Sequence, residues 1–165
     1  RQLKKLLVKS VSFTTRPKRS GEKNGKDYFF ISEKDFKAKQ KTGKILEWTK
    51  YLGYYYGSPR AIVDRYLRKG RHIVFCLDFK GALQVKKLYP DNTVTVFVLP
   101  PSLGALRKRI EKRSRSTKER GVSQRVLLAE KEMLAAKKYD YRVVNKDLHR
   151  ALKAIKEIIL ANTGI

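Results

Sequence analysis

Two arginines and a tyrosine in the stretch Ser10 to Tyr28 have the residue types and spacing needed to bind a phosphate group. Arg16 directly precedes Pro17 on a predicted loop, and Arg19 follows two residues after it. Tyr28 comes shortly after this loop. Planar guanidinium groups match phosphate oxygens in pairs, and a phenol hydroxyl can complete the shell. In a chain this basic, however, two loop arginines are often simply solvated. From these residues alone, a phosphate clamp and a solvated loop both stay open.

Composition indicates one folded domain. The chain has 165 residues, 41% of them hydrophobic, which is enough to bury a core. Apolar residues occur in short runs, none of bilayer length, and no signal-peptide pattern opens the chain. We therefore expect a cytoplasmic protein without a membrane partner.

Cysteine and histidine usage limits metal chemistry. Cys76 is the single cysteine and His72 and His149 are the two histidines, so an internal disulfide is excluded and no zinc-type spacing occurs. We expect no metal site built from protein side chains. Mg²⁺ held by phosphate groups stays possible, because it needs few protein ligands.

The charge balance is strongly positive. Forty Lys and Arg residues against 15 Asp and Glu residues give a net charge of +25. Such a field attracts polyphosphates and, without specificity, nucleic acids. Because the basic residues are scattered along the chain, we do not expect specific nucleic-acid binding.

Hydrophobic patterning predicts the elements that would position these side chains. Leucine spacing in residues 1–8 predicts the last turns of a helix, and residues 45–51 and 54–58 predict a strand pair turning at Gly53. Ser58 followed by Pro59 is typical of a helix start, with the serine as its cap.

The second half of the chain alternates apolar strands with helices. Residues 72–78, 93–99 and 143–145 are nearly continuous apolar runs, typical of strands buried on both faces. Strands that alternate with helices predict a parallel α/β sheet with right-handed crossovers. Between Arg107 and Arg125 lies an arginine-dense segment with little apolar content, which fits either a mobile lid over phosphates or an exposed loop.

Several short motifs, taken in order, resemble the guanylate kinase family from about Ser10 to the C-terminus. They are the opening stretch, L-E-W at 46–48, Y-Y-G-S at 55–58, L-D-F-K-G at 77–81, L-P-P-S at 99–102 and V-V-N-K-D-L at 143–148. The resemblance implies an α/β fold in which a P-loop-kinase-like parallel sheet is flanked by helices. It further implies one domain over residues 1–165, with a small mixed α/β GMP-binding subdomain at about 13–70 and an arginine-rich lid at about 110–125.

The same resemblance implies a GMP site. A carboxylate can accept bonds from both the N1–H and the amine of guanine, whereas adenine offers an acceptor at N1, and Glu47 matches the residue with this task. Asp78 would face the nucleoside or a coordinated cation. The full set of implied GMP-binding residues is Ser12, Arg16, Arg19, Tyr28, Glu47, Tyr56, Ser58 and Asp78.

On the ATP side, the resemblance implies three catalytic arginines and one adenine-side residue. Arg109 and Arg113 match lid arginines, Arg125 matches the arginine of the following helix, and Asn145 matches a position near the adenine. Arg109 and Arg113 would also bind ATP. Phosphoryl transfer depends mainly on positioning and positive charge, and Mg²⁺ would arrive with ATP.

The sequence departs from the family in two places. It contains no G-x-x-x-x-G-K-[ST] phosphate loop, and Cys76 stands where the family commonly has an acid. We therefore interpret the sequence as a fragment lacking the first strand and the P-loop, and expect it to catalyse poorly as given. A true relative without the loop is the alternative.

Two functions from other classes compete with the kinase. A scaffold domain of the same shape could bind phosphopeptides through the arginines, but it would need neither Glu47 nor the ATP-side arginines. A basic nucleic-acid binder would show steep salt dependence without nucleobase preference.

Overall fold

The computed structural model describes residues 7–117 and 121–164, which belong to two compact units. Unit 1 is Arg1–Asp91 and unit 2 is Asn92–Ile165. The strands of unit 1 are β1 (Leu7–Lys9), β2 (Phe13–Thr14), β3 (Phe29–Phe30), β4 (Ile45–Tyr51), β5 (Tyr54–Pro59) and β6 (His72–Val74). Its helices are α1 (Glu33–Lys41), α2 (Arg60–Leu67) and α3 (Phe79–Leu88). Unit 2 contains β7 (Val96–Leu99), α4 (Leu103–Thr117), α5 (Val122–Leu134), a 3-10 turn (Ala135–Lys138), β8 (Tyr141–Val144) and α6 (Leu148–Thr163).

A mixed four-stranded sheet in unit 1 has the strand order β3-β2-β5-β4. Strands β4 and β5 are antiparallel and joined at Leu52 and Gly53, whose φ angles of 49° and 87° are both left-handed. Two left-handed residues suit the tight hairpin turn that matches strand twist. The hairpin that the sequence predicts is confirmed, and the register between Ile45 and Trp48 shifts as in a β-bulge.

Strand β1 corrects one prediction. The leucine spacing predicted a helix over residues 1–8, but residues 7–9 pair in parallel with β6; residues 1–6 lie outside the described range. Leu7 and Val8 face His72 and Ile73 across this ladder. The prediction was wrong at residues 7 and 8 because the apolar run is too short to tell strand from helix by period alone.

Unit 2 contains a further parallel pair, β7 with β8, together with α4, α5 and α6. The α/β class, with parallel strands flanked by helices and a separate mixed sheet, is confirmed. Strands β6 and β7 are shorter than the apolar runs at 72–78 and 93–99, however, and Val74, Val98 and Val144 are exposed. Burial on both faces was therefore wrong for these strands, each of which has one paired neighbour within residues 7–117 and 121–164.

The arginine-dense segment is largely helical. Residues 103–117 form α4 and residues 122–134 form α5, with residues 118–120 outside the described range. Ile110 and Val126 are buried on these helices. The exposed-loop interpretation is thus wrong for residues 107–117, and the lid stays a prediction.

Candidate functional site

Strand β2 ends at Thr14, a fully buried residue that fixes the start of the arginine loop. Its hydroxyl donates to the Tyr55 carbonyl (3.1 Å) and accepts from the Arg16 backbone N–H (3.2 Å). Ser12, directly before β2, is half-buried, and its carbonyl accepts from the Phe29 N–H at 2.9 Å. The loop that carries the arginines is therefore anchored to the sheet at its first residue.

Arg16 is nearly buried and held on three sides. Only 8% of it is exposed. Its Nη1 donates to the Pro17 carbonyl (2.8 Å), its Nη2 donates to Glu22 Oε1 (2.7 Å), and its guanidinium lies 5.5 Å from the centre of the Tyr28 ring. Burial disfavours its charge, but the bond to Glu22 and the nearby Tyr56 hydroxyl outweigh this effect, so the pKa of Arg16 is raised.

Glu22 is a member of this cluster that the sequence analysis missed. Its Oε2 accepts from the Arg19 backbone N–H (2.7 Å), and its Oε1 lies 3.9 Å from Arg19 Nη1. The bond from Arg16 lowers the pKa of Glu22, with burial opposing and Arg19 adding to the effect. A usable signal was present, since Glu22 is one of few acids in the chain and lies three residues after Arg19.

Two tyrosines complete what we call the cationic cluster, defined as Arg16, Arg19, Glu22, Tyr28 and Tyr56. The rings of Tyr28 and Tyr56 pack edge to face with centroids 5.9 Å apart. Burial raises the pKa of Tyr28, and Tyr56 and Glu22 add to this rise while the two arginines oppose it. The four residues predicted to surround a phosphate thus lie together.

Glu47 is a buried carboxylate on β4, with 2% of its surface exposed. Its Oε1 accepts a bond from the Ser58 hydroxyl at 2.7 Å. Its Oε2 lies only 2.8 Å from the position that a Cβ on Gly81 would occupy, so a side chain there would displace it. Burial raises the pKa of Glu47, the charge of Asp78 adds to the rise, and the bond from Ser58 opposes it.

Ser58 does not cap a helix as predicted. It is the fifth residue of β5, and Pro59 takes the N-cap position of α2 without a side-chain bond. The extended strand points the Ser58 hydroxyl to Glu47 instead. The correction strengthens the case for Ser58 as a site residue, because its hydroxyl orients the carboxylate.

Asp78 lies beside Glu47 and has partners on both of its oxygens. Its Oδ1 accepts from the Gly81 N–H (2.8 Å), which makes it the N-cap of α3, and its Oδ2 accepts from the Thr49 hydroxyl (2.8 Å). Thr49 was not predicted. We call Glu47, Ser58, Asp78 and Thr49 the carboxylate pocket.

Strand geometry joins the pocket to the cationic cluster. Tyr56 and Ser58 are two residues apart on β5 and so share a face of the sheet, about 6.6 Å apart along the strand. On β4, Thr49 is paired with Tyr56, and Glu47 is two residues from Thr49. One face of the β4–β5 hairpin therefore carries Tyr56 of the cationic cluster two residues from Ser58 of the carboxylate pocket, whose hydroxyl is bonded to Glu47.

Unit 2 brings together two of the four residues predicted for ATP. Arg109 Nη2 donates to the Asn145 carbonyl at 2.9 Å, and the Asn145 N–H donates to the Leu99 carbonyl at 2.7 Å. Arg113 lies one turn after Arg109 on α4 and is exposed, whereas Arg125 lies in the first turn of α5 and is half-buried. Within unit 2 the structure thus groups Arg109 with Asn145 at the end of β8.

Membrane-spanning helices and metal-binding clusters are both absent from residues 7–117 and 121–164. No helix in these ranges is both long enough and apolar enough to cross a membrane. No group of three or more His, Cys, Asp or Glu side chains in the same ranges could hold a metal ion.

Comparison with known proteins identifies the family. The family model for guanylate kinase matches residues 1–162. A guanylate kinase of Thermotoga maritima is 43% identical over 153 residues, covering 93% of this chain and 73% of the relative. A guanylate kinase of Wolbachia pipientis wMel is 40% identical over 153 residues, covering 93% of this chain and 76% of the relative.

A solved structure shows the same fold. The crystal structure of guanylate kinase from Anaplasma phagocytophilum matches with a TM-score of 0.85 and 32% identity, covering 98% of this chain and 79% of that one. With a family match over nearly its whole length, relatives at about 40% identity and the fold in common, the chain belongs to the guanylate kinase family, whose members are nucleoside monophosphate kinases.

Proposed function

We propose that this chain transfers the terminal phosphoryl group of ATP to GMP, giving ADP and GDP. The observation that carries the proposal is the shared face of β4 and β5, where Tyr56 of the cationic cluster lies two residues from Ser58 of the carboxylate pocket. A nucleoside monophosphate has a dianionic phosphate at one end and a base with hydrogen-bond donors at the other. The two groups of side chains complement those two ends.

In this proposal the carboxylate pocket recognises guanine. Glu47 accepts from the N1–H and the amine, while Ser58 keeps its Oε1 oriented. Adenine presents an acceptor at N1. If adenine bound here, the N1 lone pair would face a lone pair of the Glu47 carboxylate, and the two would repel each other. Bidentate discrimination of this type is worth about 1–3 kcal/mol, or roughly 5- to 150-fold in affinity. Asp78 and Ser12 are proposed to bind the nucleoside at the margins of this contact.

The cationic cluster is proposed to bind the GMP phosphate. Arg16 and Arg19 supply charge-assisted bonds, and the hydroxyls of Tyr28 and Tyr56 donate to the remaining oxygens. Arg16 is already held by Pro17, Glu22 and the Tyr28 ring. Little conformational freedom is therefore lost when the phosphate binds.

Arginines of unit 2 are proposed to act on ATP, which enters as its Mg²⁺ complex. Charge spreads over the equatorial oxygens of the moving phosphoryl group, and fixed positive charge stabilises it without a covalent intermediate. Arg109, Arg113 and Arg125 take this role, and Asn145 lies near the adenine. Arg109 is the best supported of the three because it is bonded to the backbone of Asn145 at 2.9 Å.

The scaffold alternative is not favoured. A phosphopeptide binder has no use for a carboxylate that is 2% exposed and oriented by a serine hydroxyl. The curated relatives are named guanylate kinases. We further propose that the protein works in the cytoplasm, where an exposed thiol such as Cys76 stays reduced.

Titration of GMP and AMP by calorimetry tests the base recognition. We expect saturable GMP binding, with AMP weaker by roughly 5- to 150-fold. Glu47→Gln should remove most of that preference, because the Gln amide nitrogen cannot accept a bond. Arg16→Ala should weaken both nucleotides. Equal affinity of the unsubstituted protein for GMP and AMP would contradict the assignment.

The matched control for the acid is Glu33→Gln. Glu33 lies on α1 of the same unit and forms an exposed ion pair with Lys37 (2.6 Å). Neither of these residues belongs to the cationic cluster or the carboxylate pocket. Glu33→Gln removes one negative charge, as Glu47→Gln does, but it should leave the GMP and AMP affinities unchanged.

A further inference from the structure

Glu22 is bound to both arginines of the cationic cluster, yet the proposed reaction does not require an acid at this position. One oxygen accepts from Arg16 Nη2 and the other accepts from the Arg19 backbone N–H, both at 2.7 Å. Only 18% of its side chain is exposed. A carboxylate placed where an incoming phosphate would be attracted needs a physical explanation, because the two anions repel each other.

The backbone shows that Glu22 is a fixed part of the loop. The Glu22 N–H donates to the Arg19 carbonyl (3.2 Å), while the Arg19 N–H donates to the Glu22 side chain. These reciprocal bonds close the turn over residues 19–22. The Glu22 side chain cannot swing away to admit a ligand without breaking its bonds to the Arg19 N–H and to Arg16.

The same carboxylate sets the orientation of Arg16. Its bond and the bond to the Pro17 carbonyl hold the two ends of the guanidinium, and the Tyr28 ring lies against its face. A guanidinium carries five N–H donors. Pro17, Glu22 and Tyr56 are its partners, and further donors remain for an anion in a direction that is already set.

We propose that Glu22 is a positioning residue for phosphate recognition, which holds the Arg16 side chain and the Arg19 backbone in the geometry that binds the phosphate of the nucleoside monophosphate. The inference rests on the proposed function and deepens it. Glu22 need not touch the ligand. Its effect on affinity comes from preorganisation, which exceeds the repulsion between its charge and the phosphate because Arg16 is buried and would otherwise lose its carboxylate partner.

Binding of GMP and of guanosine by the full chain separates positioning from a merely structural role. For Glu22→Gln we expect GMP affinity to fall about tenfold or more, because the Gln amide would direct a donor at the arginines. Guanosine, which has no phosphate, should bind as it does to the unsubstituted protein. Glu33→Gln is the matched control and should change neither ligand.

A double substitution tests whether Glu22 acts through Arg16. If it does, Glu22→Gln should cost much less when added to Arg16→Ala than when made alone, since residues acting as one unit are not additive. Glu22→Asp, with a shorter side chain, should recover part of the GMP affinity lost in Glu22→Gln because it can still reach one of the two donors.

The outcomes are distinct. Unchanged or tighter GMP binding by Glu22→Gln, or an equal loss for GMP and guanosine, would overturn the positioning role. Failure of the base assignment would appear separately, as equal GMP and AMP affinity in the unsubstituted protein. Even in that case, Glu22→Gln should lower the affinity for AMP more than the affinity for adenosine. The positioning role of Glu22 and the base recognition by Glu47 are therefore tested by different measurements.

Discussion

At the residue scale, Glu47 is a side chain whose ionised form is costly to bury in the folded protein. A carboxylate that is 2% exposed and next to a second carboxylate is costly to ionise, and the pKa of Glu47 is raised by burial and by Asp78. One hydroxyl bond from Ser58 offsets this only in part. The ionised form is nevertheless the one that can accept two bonds from guanine, so recognition and stability of the free protein oppose each other.

Glu47→Gln should therefore stabilise the free protein in a pH-dependent manner. The pKa of Glu47 is higher in the folded chain than in the unfolded chain, so folded stability is lost as pH rises from the ordinary glutamate value, about 4.3, through the raised value. The Gln variant lacks this dependence. A tenfold change in an acid's dissociation constant on folding corresponds to about 1.4 kcal/mol, or roughly 3–5 °C in melting temperature for a chain of this size.

Thermal unfolding from pH 4 to pH 8 measures this effect. The melting temperature of the variant should exceed that of the unsubstituted protein at pH 8, and the difference should shrink towards pH 4. A variant that melts lower at pH 8 would show that the Ser58 bond outweighs the cost of burying the charge.

At the scale of elements, the N-terminus of α3 ties the helix to the pocket. Asp78 caps the helix through the Gly81 N–H and at the same time receives the Thr49 hydroxyl from β4. Gln84, one turn further on, exchanges bonds with the backbone of Trp48, at 3.3 Å from its N–H and 2.8 Å to its carbonyl. Helix α3 is therefore bonded to β4 at Trp48 and Thr49, the two residues that follow Glu47.

Two substitutions at Asp78 separate its capping role from its charge. Asp78→Ala should lower the melting temperature by about 1–8 °C, because a lost N-cap costs about 0.5–2 kcal/mol. Asp78→Asn should keep the cap and the melting temperature, since Asn caps as well as Asp. If Asp78→Asn binds GMP as the unsubstituted protein does, the charge of Asp78 does not contact the nucleoside.

Most of the predicted phosphate and base residues that the structure brings together are neighbours in the chain. Arg16, Arg19 and Tyr28 lie on one loop, and Glu47, Tyr56 and Ser58 lie on one hairpin, so their motifs carry their relationship. Thr49 escaped notice because its partner, Asp78, is 29 residues away. Such a pairing depends on how α3 packs on β4, which no local pattern encodes.

The fold class was predictable from the sequence, whereas the lengths of individual strands were less so. The hairpin, the helices and the α/β alternation follow from periodicity, whereas the ends of β6, β7 and β8 do not. Apolar runs at 72–78 and 93–99 continue beyond the residues that find a hydrogen-bonded neighbour. Pairing, and not hydrophobicity, ends a strand. Glu22 was missed because its bonds run inside a turn, where side-chain direction depends on backbone angles.

At the scale of the whole molecule, the net charge of +25 acts on every anion alike. Long-range attraction of this kind is screened within about 10 Å at 0.1 M salt. The base recognition that we propose for Glu47 takes place at a buried side chain and acts at short range, so salt should barely affect it. Charge would thus raise the affinity for nucleotides in general, and the carboxylate pocket would choose among them.

Salt titration separates the two contributions. Raising NaCl from 50 to 500 mM should weaken GMP and AMP binding by a similar factor, roughly three- to tenfold, and leave their ratio unchanged. Dissociation constants for both nucleotides at each salt concentration provide the measurement. A GMP preference that disappears at high salt would show that selectivity resides in surface charge.

The alternation of side chains along β5 has a consequence for how the site can change. Tyr56 and Ser58 lie on the same side of one strand because they are two positions apart. The separation between Tyr56, which we propose binds the phosphate, and Ser58, which orients Glu47, is thus a two-residue repeat of the strand backbone. Inserting a single amino acid between them would turn the serine to the opposite surface, whereas most exchanges of side chains would leave the measured length intact.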